Sequence, residues 1–208
     1  MSRRARGPGR LLTRANLGWV WRHRAWTPWH LRCYARMAWL RWRQPGVRME
    51  GLVFLGRRVE IYARPGLGRV VLGRWVHVGD GTRIRCHEGT VRIGDKVVFG
   101  QYDVVNAYLD VEIGAATILA DWVYVTDFDH AFDDRSVPIK DQGIVKSPVR
   151  IGPDVWVGTK ASVLRGADVG EGCVLAAHTV VRGEVAPYQV VAGVPGRVVR
   201  SRGVRPDG

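Results

Sequence analysis

A six-residue repeat of aliphatic side chains constrains the fold of this chain more than any other feature. Between residues 151 and 186 an aliphatic residue recurs at every sixth position, and glycine or alanine follows four of the six: Ile151, Val157, Val163, Val169, Leu175 and Val181. An α-helix, with about 3.6 residues per turn, would spread these positions around its axis. Short parallel strands that coil around one core, with a small residue at the turn, place them all inside. The spacing therefore predicts a parallel β-helix.

The same repeat runs through the preceding part of the chain in three groups: Leu72, Val78, Ile84; Ile93, Phe99, Val105; and Ile113, Leu119, Val125. A longer excursion, 126–150, interrupts the repeat before Ile151. Each fully buried aliphatic side chain contributes ~1.5–3 kcal/mol, so this column predicts a substantial core. The chain is therefore divided into an extension (1–50), a β-helix domain with its loop (51–200) and a carboxyl-terminal tail (201–208).

The amino-terminal segment has a different composition. Residues 1–49 hold twelve arginines and no acidic residue, and residues 10–44 hold six of the nine tryptophans. In residues 50–208, 20 basic and 19 acidic side chains nearly cancel, so the net charge of +13 belongs to the first segment. A body that binds nucleic acid is disfavoured for that reason, and no nucleic-acid partner is expected.

Helix signals bracket much of this segment. The Thr-Pro pair at 27–28 is typical of a helix start and the Pro-Gly pair at 45–46 of a stop. Between them helical spacing predicts one apolar stripe, with Arg32, Arg36 and Arg43 off it: Leu31, Tyr34, Ala35, Ala38 and Trp42. A shorter helix is predicted over about 10–24. Two interpretations stay open: the aromatic face packs on the protein or on a neighbouring subunit, or residues 1–46 contact an anionic membrane surface.

Targeting and redox signals are weak. No apolar run approaches the ~20 residues of a membrane span, and no secretory signal pattern follows the basic amino terminus. The three cysteines, Cys33, Cys86 and Cys173, form no CxxC pair, which argues against a disulfide framework and a zinc ribbon. We therefore expect a cytoplasmic protein, peripheral at the inner face of the membrane if the basic segment binds lipid.

Two stretches, IGPDVWVGTKASVLRGADVGEGCVLAAHTVV and APYQVVAGVPGRVVR, resemble the hexapeptide-repeat acyltransferases, in particular the galactoside, maltose, xenobiotic and polysaccharide O-acetyltransferases. The resemblance covers roughly residues 70–200. It implies an all-β fold, a left-handed parallel β-helix with an extruded loop, to which the helix signals above add a helical amino-terminal extension. It also implies a homotrimer with active sites between subunits, acetyl-CoA as acyl donor, no metal, and a carbohydrate or glycolipid acceptor.

Acetyl transfer to a hydroxyl needs a base, because an alcohol is a weak nucleophile near neutral pH, and imidazole suits that role. In the resembling enzymes a histidine where the repeat gives way to the loop is the general base. His130, in DWVYVTDFDHAF, holds that position. It would deprotonate the acceptor and then protonate the departing thiolate, with Asp127, Asp129 or a backbone carbonyl as candidates for orienting its ring. Three further histidines lack this context and are expected to be structural: His77, His87 and His178.

The resemblance also implies the rest of the site. A backbone N–H beside Gly158 and Thr159 would stabilise the oxyanion, with the glycine admitting the thioester close to the chain. Acetyl-CoA would contact Trp156, Gly158, Thr159, Lys160, Ala177, Arg182 and Arg197. The family often has Thr-Lys where this chain has Arg182 and Gly183, so the phosphate contacts are expected to differ. The acceptor would contact Asp103, Asn106, Asp110, Asp127 and Asp129, although turn formation also accounts for the first three.

Three other functions are compatible with the fold. Transfer to an amine of an aminosugar or antibiotic would use the same donor. A non-catalytic, membrane-associated scaffold would not bind acetyl-CoA. A metal-dependent hydratase similar to the γ-carbonic anhydrases needs three converging histidines, and the wide spacing of the histidines argues against it.

Overall fold

The computed structural model describes residues 13–203, in which two helices precede a parallel β-helix. Helix α1 spans Arg14–Arg22 and helix α2 spans Pro28–Arg43. Thr27 is the N-cap of α2 and its side chain accepts from the backbone of the first turn, which confirms the predicted start signal. The parts of the predicted extension and tail at 1–12 and 204–208 lie outside the described residues.

Short strands make up the rest of the described chain. Before the loop they are β1 Val47–Met49, β2 Val53–Leu55, β3 Glu60–Ala63, β4 Gly68–Leu72, β5 Val76–Val78, β6 Arg83–Cys86, β7 Gly89–Ile93, β8 Val98–Phe99, β9 Val104–Ala107, β10 Asp110–Ile113, β11 Ile118–Leu119 and β12 Tyr124–Thr126. From the loop onward they are β13 Phe128–His130, β14 Ile144–Lys146, β15 Val149–Ile151, β16 Trp156–Val157, β17 Ser162–Val163, β18 Asp168–Val169, β19 Val174–Leu175, β20 Val180–Val181, β21 Glu184–Val185, β22 Gln189–Ala192 and β23 Arg197–Ser201. One turn of 3₁₀ helix, Ile139–Asp141, lies within the described loop.

The strands stack in parallel, coil upon coil, into three faces. Face 1 contains β1, β4, β7, β10, β15, β18 and β21; face 2 contains β2, β5, β8, β11, β16, β19 and β22; face 3 contains β3, β6, β9, β12, β17 and β20. The last strand, β23, pairs antiparallel with β22 at the end of face 2. The chain turns from face 2 into face 3 at the 2/3 corner, which includes residues 158–160, and leaves face 3 at the 3/1 corner, which includes residues 164–166.

The six-residue repeat forms the inward columns of this coil. On face 2, Val78, Phe99, Leu119, Val157 and Leu175 occupy neighbouring register positions. Equivalent columns run through faces 1 and 3, and every residue of the predicted repeat is at most 3% exposed. The predicted all-β parallel β-helix with a helical extension is confirmed.

Helix α2 covers the open edge of the first coil. Cys33, Met37 and Leu40 are buried in the core, and the thiol of Cys33 donates to the carbonyl oxygen of Leu55 at 3.4 Å. The first strand begins at Val47, inside the stretch predicted as extension.

The predicted apolar stripe of α2 does not pack on the protein. Leu31, Ala35, Ala38 and Trp42 are exposed, and Tyr34 is half-buried. The physical reason is that α2 carries two apolar stripes. The second stripe, which contains Cys33, Met37 and Leu40, is the one that packs on the core. No helix among residues 13–203 is long and apolar enough to span a membrane.

Candidate active site

The predicted loop at 126–150 is an antiparallel hairpin that projects from the 3/1 corner. The chain leaves the β-helix after Thr126 and returns to it at Val149. Strands β13 and β14 pair along the hairpin, with His130 opposite Ile144. The regular backbone of this pairing gives the histidine a defined place at the end of β13.

Ion pairs fasten the hairpin on both sides. Atom Oδ2 of Asp129 accepts from Nε of Arg165 and from Nη2 of Arg182, each at 2.6 Å. Partial burial raises the pKa of Asp129, but these two guanidinium groups outweigh it and hold the pKa below its usual range. On the other strand Lys146 pairs with Glu88 of an earlier coil. The hairpin is therefore tied to coils before and after it.

A column of half-buried rings follows the 3/1 corner toward the hairpin. Ring centroids are 6.1 Å apart from Tyr62 to His87, 4.6 Å from His87 to Tyr108, and 4.6 Å from Tyr108 to Phe128. His130 continues the series, 6.4 Å from Phe128. The sequence interpretation missed these residues as a group, and it expected His87 to be structural. Together they form an aromatic surface that leads to His130.

His130 itself is exposed, and its ring has no hydrogen-bond partner among the described residues. Neither carboxylate that the sequence offered as an orienting group contacts it. Asp129 binds the two arginines, and Asp127 is buried. Both ring nitrogens are therefore open to groups that approach from outside the chain.

Asp127 is a structural residue, which corrects its assignment to the acceptor site. Its side chain is fully buried. Its Oδ1 accepts from the backbone N–H of Tyr108 at 2.8 Å, and its Oδ2 accepts from those of Leu109 at 2.8 Å and Asp110 at 2.7 Å. The carboxylate thus holds the turn of the preceding coil at the 3/1 corner and cannot reach a ligand.

Asp103 is also fully buried, at the start of face 3, so its assignment to the acceptor site is corrected too. Its Oδ1 accepts from the backbone N–H of Val123 at 2.8 Å, while its Oδ2 has no hydrogen-bond partner among the described residues. Burial raises the pKa of Asp103 to about 7, and the nearby charge of Asp121 adds to this effect.

Asp110 and Asn106 differ in their freedom to bind an acceptor. The carboxylate of Asp110 accepts from Arg92 at 2.6 Å and from Arg150 at 2.5 Å, so an acceptor would have to compete with these two guanidinium groups. Asn106 is half-buried on β9 of face 3, in register with Thr126 at the base of the hairpin. Its side-chain amide has no partner among residues 13–203 and is open to a ligand.

The predicted thioester residues meet at the 2/3 corner. The N–H of Gly158 donates to the carbonyl oxygen of Leu175 at 2.7 Å, and a Cβ at this position would lie 2.6 Å from the backbone nitrogen of Ala177. The stacking of coils therefore requires glycine here, independently of the predicted access of a thioester. The next N–H, that of Thr159, has no acceptor in the described part of the chain. Lys160 follows it and is exposed.

The other predicted acetyl-CoA contacts are spread around the β-helix. Trp156 on face 2 is 55% exposed and lines a shallow cleft of about 280 Å³ with Ile118 and Arg202. Arg197 is exposed on β23. Arg182 lies at the 3/1 corner with Asp129 and is thus separated from the others. Trp156 and Arg197 thus share face 2, and Arg182 is the one of these three that lies across face 3 from it.

Known proteins resemble this chain in sequence. Residues 148–183 match the family described as bacterial transferase hexapeptide (six repeats). A Mycobacterium tuberculosis protein named as an acetyltransferase is 53% identical over 193 residues, which are 93% of this chain and 64% of that protein. An Escherichia coli protein named for O-acetyl transfer in lipopolysaccharide biosynthesis is 31% identical over 64% of this chain and 72% of its own length. The chain belongs to the hexapeptide-repeat acyltransferase family.

Solved structures show the same fold at lower identity. The Bacillus cereus N-acyltransferase AntD, in complex with dTDP and 3-hydroxybutyryl-CoA, has a TM-score of 0.62 at 19% identity over 75% of this chain and 82% of AntD. A maltose O-acetyltransferase from Clostridium difficile has a TM-score of 0.52 at 19% identity over 80% of this chain and 74% of its own. The chain spans 64% of the length of the mycobacterial relative.

The other reactive side chains have structural surroundings. All three cysteines are buried and free, and burial raises the pKa of each thiol. His77 stacks on Phe54 at 4.5 Å, and burial lowers its pKa. His178 is exposed at the 2/3 corner. Among residues 13–203, no group of three or more His, Cys, Asp and Glu side chains is placed to hold a metal ion.

Proposed function

We propose that this hexapeptide-repeat protein transfers an acetyl group from acetyl-CoA to a hydroxyl of a saccharide or glycolipid, with His130 as the general base. The observation that carries the proposal is the presentation of His130. Its ring is exposed, free of intrachain hydrogen bonds and held on a hairpin that ion pairs fasten to the β-helix. Relatives named as acetyltransferases supply the reaction class.

The chemistry follows from an imidazole with two unused nitrogens. One nitrogen takes the proton of the acceptor hydroxyl while its oxygen attacks the thioester carbonyl. The tetrahedral intermediate then collapses, the C–S bond breaks, and the protonated ring returns the proton to the thiolate, which leaves as CoA. The ester product keeps the new C–O bond, and no acyl-enzyme forms.

The oxyanion of that intermediate needs a donor that is not already engaged. The N–H of Thr159 fits this requirement, whereas the N–H of Gly158 is used in the coil. Thr159 lies at the 2/3 corner, and Arg165 lies six residues later at the 3/1 corner with the hairpin. At ~3.3 Å per residue the two corners are separated by up to about 20 Å.

The two corners border opposite edges of face 3, so His130 and Thr159 of one chain are poorly placed to share a reaction centre. We therefore place the site between subunits of a homotrimer, with His130 of one copy facing Thr159 of the next. The exposed cations Lys160 and Arg197 are then the candidates for the phosphates of CoA. Arg182 is a weaker candidate because Asp129 already binds it.

The acceptor class is inferred from the surface beside His130. The rings of Tyr62, His87, Tyr108 and Phe128 offer apolar area with polar edges. Asn106 adds an unengaged amide on face 3. A sugar ring has apolar faces and a rim of hydroxyls, so it complements such a surface better than a charged or wholly apolar acceptor does.

The proposal is tested with the full chain in two steps. Calorimetry should show acetyl-CoA binding that free CoA competes away, and ligand at a hundred times Kd should stabilise the fold by ~2.7 kcal/mol. Mono- and oligosaccharides are then screened by mass spectrometry for a gain of one acetyl group, with aminosugars as amine acceptors. Acetylated hydroxyls support the proposal. Acetylation confined to amines overturns its acceptor class, and no acetyl-CoA binding by folded protein overturns it entirely.

A further inference from the structure

Helix α2 is apolar on two opposite sides, which is unusual for a helix on a protein surface. One side packs Cys33, Met37 and Leu40 into the core of the β-helix. The other side, the outward stripe, is exposed and consists of Leu31, Ala35, Ala38, Trp39 and Trp42. These positions follow helical spacing, so they form one continuous strip along the helix.

The outward stripe is strongly exposed where its largest side chains lie. Trp39 is 58% exposed and Trp42 is 79% exposed. In α1 and the turn after it, Trp21 and Trp26 are 77% and 47% exposed, with their rings 5.2 Å apart. Leaving tryptophans in water on this scale is unfavourable, and apolar area of this kind marks an interaction surface.

The charged side chains beside the outward stripe are all positive. Arg32 and Arg43 are exposed and lie next to the stripe on the helix surface, and the guanidinium carbon of Arg43 lies 5.8 Å from the centroid of the Trp39 ring. Residues 1–49 contain no acidic residue, whereas basic and acidic residues nearly balance in 50–208. The binding partner of this surface must therefore be apolar and anionic at once.

We propose that the outward stripe of α2, together with the tryptophans of α1, docks the protein on an anionic phospholipid bilayer. The helix lies in the plane of the interface, with its tryptophan rings at the level of the lipid headgroups and its arginines on the phosphates. A two-fold contact between copies of the same stripe is disfavoured, because it would bring arginine against arginine with no acidic residue to pair. Docking places the first coil of the β-helix next to the membrane.

The test is vesicle co-sedimentation of the full chain with phosphatidylcholine alone and with phosphatidylcholine containing phosphatidylglycerol. Wild type should bind the anionic vesicles, and high salt should weaken binding. The double variant Trp39→Ser/Trp42→Ser should bind at least about tenfold more weakly. Arg32→Gln/Arg43→Gln should lose about fivefold per arginine, since each contributes ~1 kcal/mol at an anionic surface. Trp122→Ser, which removes a 55%-exposed tryptophan of the β-helix, serves as the matched control and should bind like wild type.

Folding is checked separately by thermal melting. Trp42→Ala should leave the melting temperature nearly unchanged, whereas Met37→Ala on the buried side should lower it by at least about 4 °C. Equal vesicle binding by wild type and the double tryptophan variant would overturn the proposal. A second result would also overturn it: the wild-type protein self-associates without lipid, and the double tryptophan variant loses that self-association but still binds vesicles. The outward stripe would then be a contact between copies of the chain.

Discussion

The two corners that border face 3 arise from the same six-residue repeat but differ in construction. At the 2/3 corner the turns are regular, and several of their N–H groups, including that of Thr159, have no acceptor among the described residues. At the 3/1 corner the hairpin interrupts the turns, and ion pairs and stacked rings fix it. The regular corner therefore offers backbone chemistry, and the irregular corner offers side-chain chemistry. An acyltransferase needs both, a donor for the oxyanion and a base.

His130 and His178 are exposed histidines, one at each corner. Replacing each of them gives the strongest test that the base lies at the 3/1 corner. His130→Gln should lower acetyl transfer by about 10²- to 10⁴-fold, because it removes the general base. His178→Gln at the 2/3 corner should stay within about twofold of wild type, and neither change should alter the melting temperature, since both side chains are exposed. Steady-state kinetics of the two variants side by side measure the difference, and comparable losses would contradict it.

The role of the 2/3 corner is tested by removing the backbone N–H of Thr159. Lys160 has a positive φ of 57°, as the third residue of a type II turn does. Thr159 is the second residue of that turn, a position that accepts proline. Pro153 occupies the equivalent place before Asp154, whose φ is 53°. Thr159→Pro should therefore keep the fold and lower kcat by about 10²- to 10³-fold through loss of the oxyanion donor.

Two controls accompany the proline variant. Thr159→Ala removes the methyl group and the hydroxyl, which donates to the carbonyl oxygen of Asp121 at 2.7 Å, but keeps the backbone N–H and should keep most of the activity. Ala115→Pro makes the same backbone change before Ala116, another residue with positive φ, and should be fully active. Full activity of Thr159→Pro would remove the 2/3 corner from the site.

The ion pairs of the irregular corner should have a smaller effect on catalysis. Asp129→Asn weakens the bonds to Arg165 and Arg182, so the hairpin loosens and kcat should fall by about tenfold through poorer positioning of His130. Limited proteolysis within the loop should become faster. Because the folded-state pKa of Asp129 lies below its usual value, the wild-type contact persists above pH ~4 and is lost as the pH falls further. Unchanged kcat and cleavage rate would mean that the hairpin is held by other contacts.

The buried carboxylates behind the two corners should have the smallest effect on catalysis and act on stability instead. Asp127 accepts three backbone N–H groups, whereas Asp103 accepts one and has an unpartnered Oδ2. The pKa of Asp103 is raised to about 7, so the folded state binds its proton more tightly than the unfolded state. The contribution of Asp103 to the free energy of unfolding is therefore greatest below pH ~4. It falls by up to ~1.4 kcal/mol per pH unit until pH ~7. Asp103→Asn should flatten that slope in denaturant titrations; an unchanged slope would contradict it.

The fold was predictable because the repeat has only one physical solution. A residue such as Leu119 or Val157 that recurs every six positions reaches a single core only in a stacked coil. The position of His130 at the end of the regular repeat was predictable for the same reason. The contacts that fasten its hairpin were not predictable, because they join Asp129 to arginines that are 36 and 53 residues away in sequence.

The two buried aspartates were misassigned although the sequence carried a signal. Side chains alternate along a strand, so residues two positions from an inward residue also point inward. Asp103 stands two before Val105, and Asp127 stands two after Val125. Polarity alone suggested a ligand site, whereas the alternation indicates burial.

Helix α2 shows the limit of periodicity. The stripe that begins at Leu31 and the stripe that contains Met37 both satisfy helical spacing. Spacing does not say which one meets the core, and tertiary packing selected the stripe with fewer aromatic residues. The register of the aromatic column is hidden for a similar reason, since Tyr62 and Phe128 become neighbours of His87 and Tyr108 only after the coils stack.

The most direct measurement mixes two inactive variants, His130→Gln and Thr159→Pro, in one oligomer. If the corners of neighbouring subunits form each site, every mixed trimer contains one intact site of three. Refolding equal amounts together should then restore about a quarter of wild-type activity. Activity no higher than that of the separate variants, with mixed oligomers verified by mass spectrometry, would contradict a site shared between subunits.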